Sequence, residues 1–262
     1  MKAKRLQEME NFLLHQGFAT MEELKTRFGV SMNTVRRDAA LLVSSGTAEK
    51  VYGGLKAAKN SSVLVPYENR LQSMSSVKHD ICARASRIIK DGDIIFIDSG
   101  TTTVHLIDLL QDRNVTVITN NVEVEMRAMD LPNIRLIMVP GELHRKTRSI
   151  TGEESARFLS VYNTNYAFMA ATGISQAGGV TNSSPREFEI KREAVSHTEC
   201  AVLLVTGQKF GITSLLTYAP LDRFHTVITD KSAPPQWVER MEAQGIDVQI
   251  ADGEPGQEIS GS

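Results

Sequence analysis

Three observations predict an α/β chain with a winged helix-turn-helix head and a body built on a mostly parallel sheet. Residues 31–54, SMNTVRRDAALLVSSGTAEKVYGG, read as a recognition helix followed by a wing. From residue 94 onward, short apolar runs alternate with helical stretches, as expected of strands covered on both faces. Charge divides in the same way. Residues 1–56 carry nine Lys/Arg against six Asp/Glu, and the remainder twenty against twenty-five. A mildly basic head on an acidic body suits sequence-selective DNA binding, with the body kept off the polyanion.

The head is taken first. Residues 3–16 are predicted to form a helix with Leu6, Met9, Phe12 and Leu13 on one face. Thr20 and Glu23 fit a capping box that opens a short helix ending at Phe28, before a tight turn at Gly29. Ser31 can cap the next helix, in which Val35, Ala39 and Leu42 form the buried stripe. Asn33 and Arg37 then lie opposite that stripe, with Thr34 and Arg36 on its flanks. In a major groove, Asn can read adenine and Arg can read guanine. Gly46 ends the helix, and Ala48–Tyr52 with Gly53-Gly54 reads as a two-stranded wing, both glycines taking positive φ. Val51 and Tyr52 are expected to close the small core, while Lys50 and Lys56 face phosphate. The predicted DNA contacts are Thr20, Ser31, Met32, Asn33, Thr34, Arg36, Arg37, Lys50 and Tyr52. A plain helical hairpin with a solvated basic face is the bland alternative. The wing, and the α/β body that follows, favour DNA.

At 262 residues the chain has ample material for a core beside a head of about sixty residues. A net charge of −2 argues against a general nucleic-acid coat. Cys82 falls in a predicted helix and Cys200 enters a strand, so buried thiols rather than a disulfide are expected. The opening MKAKRLQEMENFLLHQ lacks an apolar signal core, and no apolar run approaches the roughly 18 residues of a membrane span. A cytoplasmic protein with no membrane partner is expected. Four segments follow: a head over 1–57, a linker and the start of a connecting helix over 58–75, a body over 76–251, and a disordered tail over 252–262.

Within the body a helical stretch runs from Tyr67 to Lys90. Strands are predicted at 94–97, 115–118, 134–139, 166–171, 201–205, 226–228 and 248–250. Helices are predicted at 101–110, 122–129, 153–159, 187–197 and 235–244.

A ligand site is predicted where these strands end. Asp98, Ser99, Gly100, Thr101, Thr102 and Thr103 leave the first strand and open a helix, where amides and hydroxyls can meet a phosphate. The run is neither a P-loop nor a dinucleotide fingerprint, and alone it is compatible with a well-capped helix. Further strands end in Thr119-Asn120-Asn121, in Val139-Pro140-Gly141-Glu142 and in Ala171-Thr172-Gly173. Polar and glycine residues at several strand ends mark the crevice of an open α/β sheet. His144–Arg148, with Lys146 and Arg148, either clamps a phosphate or is a solvated basic loop. Lys209 is the lysine most expected to enter the crevice, and Gly178-Gly179 and Asn182-Ser183 suit a nearby loop. Glu187, Glu189 and Lys191 open the next helix, as site residues or as surface pairs. The six His show no ligand spacing, and no metal, cofactor or catalytic residue is assigned.

These residues together resemble the DeoR family of bacterial sugar-metabolism repressors. VRRD and YGG are similar to its head, and DSGTTT, ITNN, ATG and QKFG, in that order, to its sensor domain. VYGG, LVPYENR, FIDSGTTT, RKTRS and LLTYAPLDR look most like the branch that represses myo-inositol catabolism. The resemblance implies a homo-oligomeric repressor, dimer or tetramer, released from operator DNA by a phosphorylated sugar or inositol-derived effector. It departs from the family at Thr206-Gly207-Gln208, where an Asp-Ser-Ser-like run usually precedes the lysine matched by Lys209. The family's sensor fold is similar to ribose-5-phosphate isomerase, so an isomerase-like enzyme with an accessory DNA-binding head is the alternative. That enzyme has a carboxylate-bearing turn where this chain has Ala170-Ala171-Thr172-Gly173, which argues against catalysis.

Overall fold

Local capping starts the head. Thr20 accepts the Glu23 amide at 3.1 Å and Glu23 Oε2 accepts the Thr20 amide at 2.7 Å, the reciprocal box that opens α1 (Met21–Phe28). Gly29 ends it with φ 59°, the left-handed cap that glycine adopts without a Cβ penalty. Ser31 Oγ then accepts the Thr34 amide at 3.2 Å and opens α2 (Met32–Ser44). A computed structural model describes residues 5–6, 8–9, 12–13, 16–44, 48–57 and 67–251, in two compact units, Met1–Ser73 and Met74–Ser262. Gly46, most of the linker and the tail expected from Asp252 lie outside the described residues.

In the first unit, β1 (Phe18–Thr20), β2 (Ala48–Val51) and β3 (Gly54–Ala57) form an antiparallel sheet in the order β1-β3-β2, followed by α3 (Tyr67–Gln72). The two-stranded wing is the β2–β3 hairpin, and β1 adds a third strand to its sheet. Its third strand also corrects the reading of the glycines. Gly53 has φ 82°, but a Cβ on Gly54 would lie 2.2 Å from the Ala19 carbonyl of β1. Gly54 is needed for close approach, not for positive φ. The small core contains Met9, Leu13, Ala19, Leu24, Val35, Ala39, Leu42, Ala48 and Leu55. Tyr52, expected there, sits in the β2–β3 turn and is fully exposed, because a turn residue lies outside the strand alternation that aims Leu55 inward.

The expected 67–90 helix does not run unbroken. Met74 has φ 51°, and a separate helix α4 (Ser75–Ser86) begins after it. The chain then runs through β4 (Ile94–Ile97), a 3-10 helix (Thr103–Leu109), β5 (Val115–Thr119), α5 (Val122–Ala128) and β6 (Ile134–Met138). A hairpin of β7 (Glu142–His144) and β8 (Ser149–Thr151) leads to α6 (Glu153–Leu159) and β9 (Thr164–Met169). Next come β10 (Gly173–Ile174), β11 (Gly179–Asn182), α7 (Phe188–Ser196), β12 (Thr198–Leu204) and β13 (Leu216–Pro220). The last elements are β14 (Thr226–Asp230), α8 (Pro235–Ala243) and β15 (Asp247–Ala251).

Seven strands form the parallel sheet, in the order β15-β14-β12-β9-β4-β5-β6. Successive residues of a strand point to opposite faces, yet Ile95, Phe96 and Ile97 are all buried, so both faces are covered. This is the mostly parallel α/β body that the apolar runs predict. The sequence pattern did not predict the antiparallel sheet β10-β11-β13 or the β7–β8 hairpin. Stretches such as GVTN and LTYAP lack the continuous apolar run of a covered strand. Among the described residues no helix is long and apolar enough to cross a membrane. Cys82 is buried, Cys200 is half-buried, and both are free.

Candidate functional site

The head presents a polar surface along α2. Asn33, Arg36 and Arg37 are exposed, whereas Val35, Asp38, Ala39 and Leu42 face inward. Asp38, which follows the two arginines, is fully buried and accepts from Arg5 Nε at 2.8 Å. It ties the recognition helix to the N-terminal helix. Several predicted contacts have local duties: Thr20 and Ser31 are caps, Thr34 Oγ1 lies 2.9 Å from Ser31 Oγ, and Met32 packs against the head core. Lys50 and Tyr52 are exposed on the wing, as is Lys56.

In the body, strand order identifies a special place. The chain steps outward from β4 to β5 and β6, then returns to β9 on the other side of β4. The C-terminal ends of β4 and β9 thus form the switch point where open α/β sheets bind ligands. Asp98 follows β4 and Ala170 follows β9. Asp98 Oδ2 accepts the Ala170 amide at 2.9 Å and also receives the Lys191 ammonium, which donates to the Ala170 carbonyl at 3.2 Å. The Tyr218 hydroxyl donates to the same carbonyl at 2.9 Å, and its ring lies 5.3 Å from Lys191 Nζ. Burial, followed by the Asp98 charge, holds the Tyr218 hydroxyl well above its ordinary pKa, so it remains a donor.

Two buried acceptors at neighbouring strand ends, Asp98 Oδ1 after β4 and Asn120 Oδ1 after β5, lack partners among the described residues. An unsatisfied buried acceptor costs about 1–3 kcal/mol, and such an atom is open to a donor from a ligand or water. Asn120 Nδ2 is already used on the Ile150 carbonyl at 3.3 Å.

The glycine- and threonine-rich loop differs from its expected form. The helix expected from Thr101 is a 3-10 helix that starts at Thr103, whose hydroxyl turns back onto the Asp98 and Gly100 carbonyls at 2.7 and 3.0 Å. Gly100 has a packing role, since a Cβ there would stand 2.2 Å from the Ala170 Cβ. Thr101 accepts Lys78 Nζ at 3.2 Å, and the Thr102 carbonyl accepts the Cys82 thiol at 3.1 Å. Thr119 donates to the Ile97 carbonyl at 2.6 Å, tying β5 to β4.

The lysine held at the switch point is Lys191, not Lys209, which lies half-buried in a short 3-10 turn at Gly207–Lys209. Helix spacing explains this: Glu187 and Lys191 lie four residues apart, on one face of the helical segment. Both are buried, while Glu189 pairs with Arg192 at the surface. Glu187 Oε1 accepts from Ser99 at 3.1 Å and from Ser149 at 2.8 Å. Lys146 is exposed, and Arg148 pairs with Glu123 at 2.7 Å. Thr172 donates to Ser183 at 3.3 Å, and Asn182 donates to the Ser184 carbonyl at 2.9 Å. Gly141 and Gly173 are sites of close approach, to Ser155 and Ile212 respectively. Sequence reasoning missed Ser149, Ala170 and Tyr218. Their contacts at this site cross 21 to 72 residues of chain, and no local signal announces them.

Two clefts open on this unit. One of about 560 Å³ is lined by Glu142, Gly152, Arg157, Arg186 and Glu189, and one of about 500 Å³ by Ser175, Phe188, Thr217 and Tyr218. Asp98 to Thr103 line neither and are buried.

Residues 5–61 match the DeoR-like helix-turn-helix domain, and residues 73–231 match the DeoR C terminal sensor domain. The chain is 41% identical over 252 residues to the HTH-type transcriptional regulator IolR of Bacillus subtilis, covering 96% of this chain and 100% of that protein. It is 30% identical over 221 residues to the glycerol-3-phosphate regulon repressor of Escherichia coli, covering 84% and 86%. Ribose 5-phosphate isomerase A of Methanocaldococcus jannaschii aligns over 52% of this chain and 54% of its own, with 20% identity and a TM-score of 0.39. An exposed Asn and two Arg on a capped helix, ahead of an α/β body with a built switch-point site, agree with both domain matches: the chain belongs to the DeoR family of DNA-binding transcriptional regulators.

Proposed function

We propose that this chain represses a sugar or inositol catabolic operon and is released from its operator by a phosphorylated intermediate of that pathway. The observation that carries the effector half is the pair of buried, unpartnered acceptors Asp98 Oδ1 and Asn120 Oδ1. A ligand rich in hydroxyl donors satisfies both. Its phosphate is assigned to the amides of Gly100 to Thr102 and the hydroxyls of Thr101 and Thr102, together with Lys209. The inositol branch is supported by the likeness to IolR along nearly the whole chain.

In the DNA half, Arg36 and Arg37 divide base and phosphate contacts. A dimer or tetramer sets two such helices on half-sites about 34–36 Å apart or a multiple of that spacing. Effector binding favours an arrangement with mis-spaced heads, and a coupling of about 1–3 kcal/mol weakens operator binding roughly 5–150-fold.

A thermal-shift screen of sugar phosphates and inositol-derived phosphates on the full chain tests the effector. A hit is then titrated against protein bound to duplexes selected from a random pool. Failure of every hit to alter DNA affinity would sink the switch. Arg36→Ala and Arg37→Ala test the recognition face: the base-reading arginine should cost about 1–3 kcal/mol and relax specificity at one position. Full affinity in both variants across a salt series removes that face from the interface. Turnover of ribose 5-phosphate that survives loss of the head would favour the isomerase alternative instead.

A further inference from the structure

Glu187 is the buried carboxylate at this site that the effector reading leaves without a task. A carboxylate repels a phosphate and adds nothing to its binding. Its hydrogen bonds suggest another role. Oε1 accepts Ser99, in the loop after β4, and Ser149, the first residue of β8. Ser149 Oγ lies 2.7 Å from Thr147 Oγ1, and Thr147 Oγ1 lies 2.9 Å from His144 Nδ1. A continuous chain of polar contacts therefore runs from the half-buried end of β7, through the turn, to Glu187 and on to Ser99. Thr147, Ser149, Glu187 and Ser99 are all buried.

The same hairpin is also pinned through its backbone. The Ile150 amide donates to the Asn120 carbonyl at 2.8 Å, and the Val122 amide to the Arg148 carbonyl at 3.0 Å. Arg148 holds φ 50°, unusual for a residue with a Cβ, and its guanidinium is paired with Glu123. Such a conformation persists only where its surroundings over-determine it. The turn carried by this hairpin is basic, with exposed Arg145 and Lys146.

We infer that Glu187 is a positioning residue, which fastens the β7–β8 hairpin to the loop after β4 and so seats the hairpin's basic turn at the rim of the effector site. Its carboxylate joins two parts of one anion site without touching the anion. This rests on the phosphate reading above and explains how Arg145 and Lys146 come to close on the phosphate.

Trypsin treatment of the full chain tests the latch, because Arg145 and Lys146 are exposed cleavage positions. Loss of a hydrogen bond to a charged group should raise the open population, and hence the rate of cleavage in this turn, about tenfold. Ser149→Ala, a mild change, should show that increase. Glu187→Ala should match it, and Glu187→Gln, which keeps an acceptor oxygen, should recover most of the protection. Wild-type cleavage in both Ser149→Ala and Glu187→Ala would overturn the latch. Inorganic phosphate, added as the probe, should slow cleavage in wild type and not in Ser149→Ala. Equal protection of both proteins would overturn the positioning role. If phosphate protects neither while Ser149→Ala is still cut faster, the latch stands and the phosphate reading of the site fails.

Discussion

Replacing Lys191 by methionine removes the ammonium from a fully buried Asp98 while keeping most of the side-chain volume. In wild type the Asp98 carboxylate is compensated by the Lys191 charge and by the Ala170 amide at 2.9 Å. In the variant only the amide remains, and Asp98 Oδ1 already lacks a protein donor among the described residues. Breaking one side of a buried pair costs about 3–5 kcal/mol, because it strands a charge in a low-dielectric interior. For a unit of this size that corresponds to a fall in Tm of about 6–20 °C. Urea denaturation followed by fluorescence reads it directly, since Trp237 is the chain's one tryptophan and is buried in the same unit. Asp98→Asn combined with Lys191→Met removes both charges and should recover most of the loss. A single-variant loss below about 1 kcal/mol, or a double variant no more stable than the single, would refute the assignment of Asp98–Lys191 as an uncompensated pair when split.

Gly100→Ala should cost about 1–3 kcal/mol through overpacking, because the new Cβ meets the Ala170 Cβ at 2.2 Å. Combination with Ala170→Gly should restore much of it in the same urea assay, and no restoration would place the strain elsewhere. His105 supplies a pH dependence. Burial, then the Arg127 charge, lowers its folded pKa from 6.5 to about 4. Between those values the unfolded chain binds the extra proton, so stability rises with pH across the window and is lost on acidification through it. A fall of about 1–2 kcal/mol between pH 6.5 and 4 is expected after allowance for solvent screening, and His105→Leu should flatten it. An unchanged slope in that variant would assign the acid sensitivity to other groups.

Much of the architecture was legible because its signals are local. The Thr20–Glu23 box, the Gly29 cap and the stripe of Val35, Ala39 and Leu42 each depend on residues within one or two helical turns. Fully apolar strands such as IIFI declare burial on both faces by composition alone. The short mixed-polarity strands β10, β11 and β13 carry no such signature: β10 pairs locally with β11, but β11 is held by β13, some forty residues further on. Tyr52 faces solvent for a related reason: a turn residue's direction depends on where the ladder stops.

By itself the sequence determined a DNA-binding head, a doubly covered parallel sheet, and the polar and glycine-rich loops at the strand ends. Capping, periodicity and hydrophobicity act over a few residues, and a reader of the chain can sum them. Only the tertiary structure decided which side chains meet at the β4–β9 switch point. It put Lys191 beside Asp98, gave Gly100 a packing task against Ala170, and linked Glu187 to Ser99 and Ser149. Those choices depend on strand order, which brings Asp98 within hydrogen-bonding distance of groups 72 and 93 residues away.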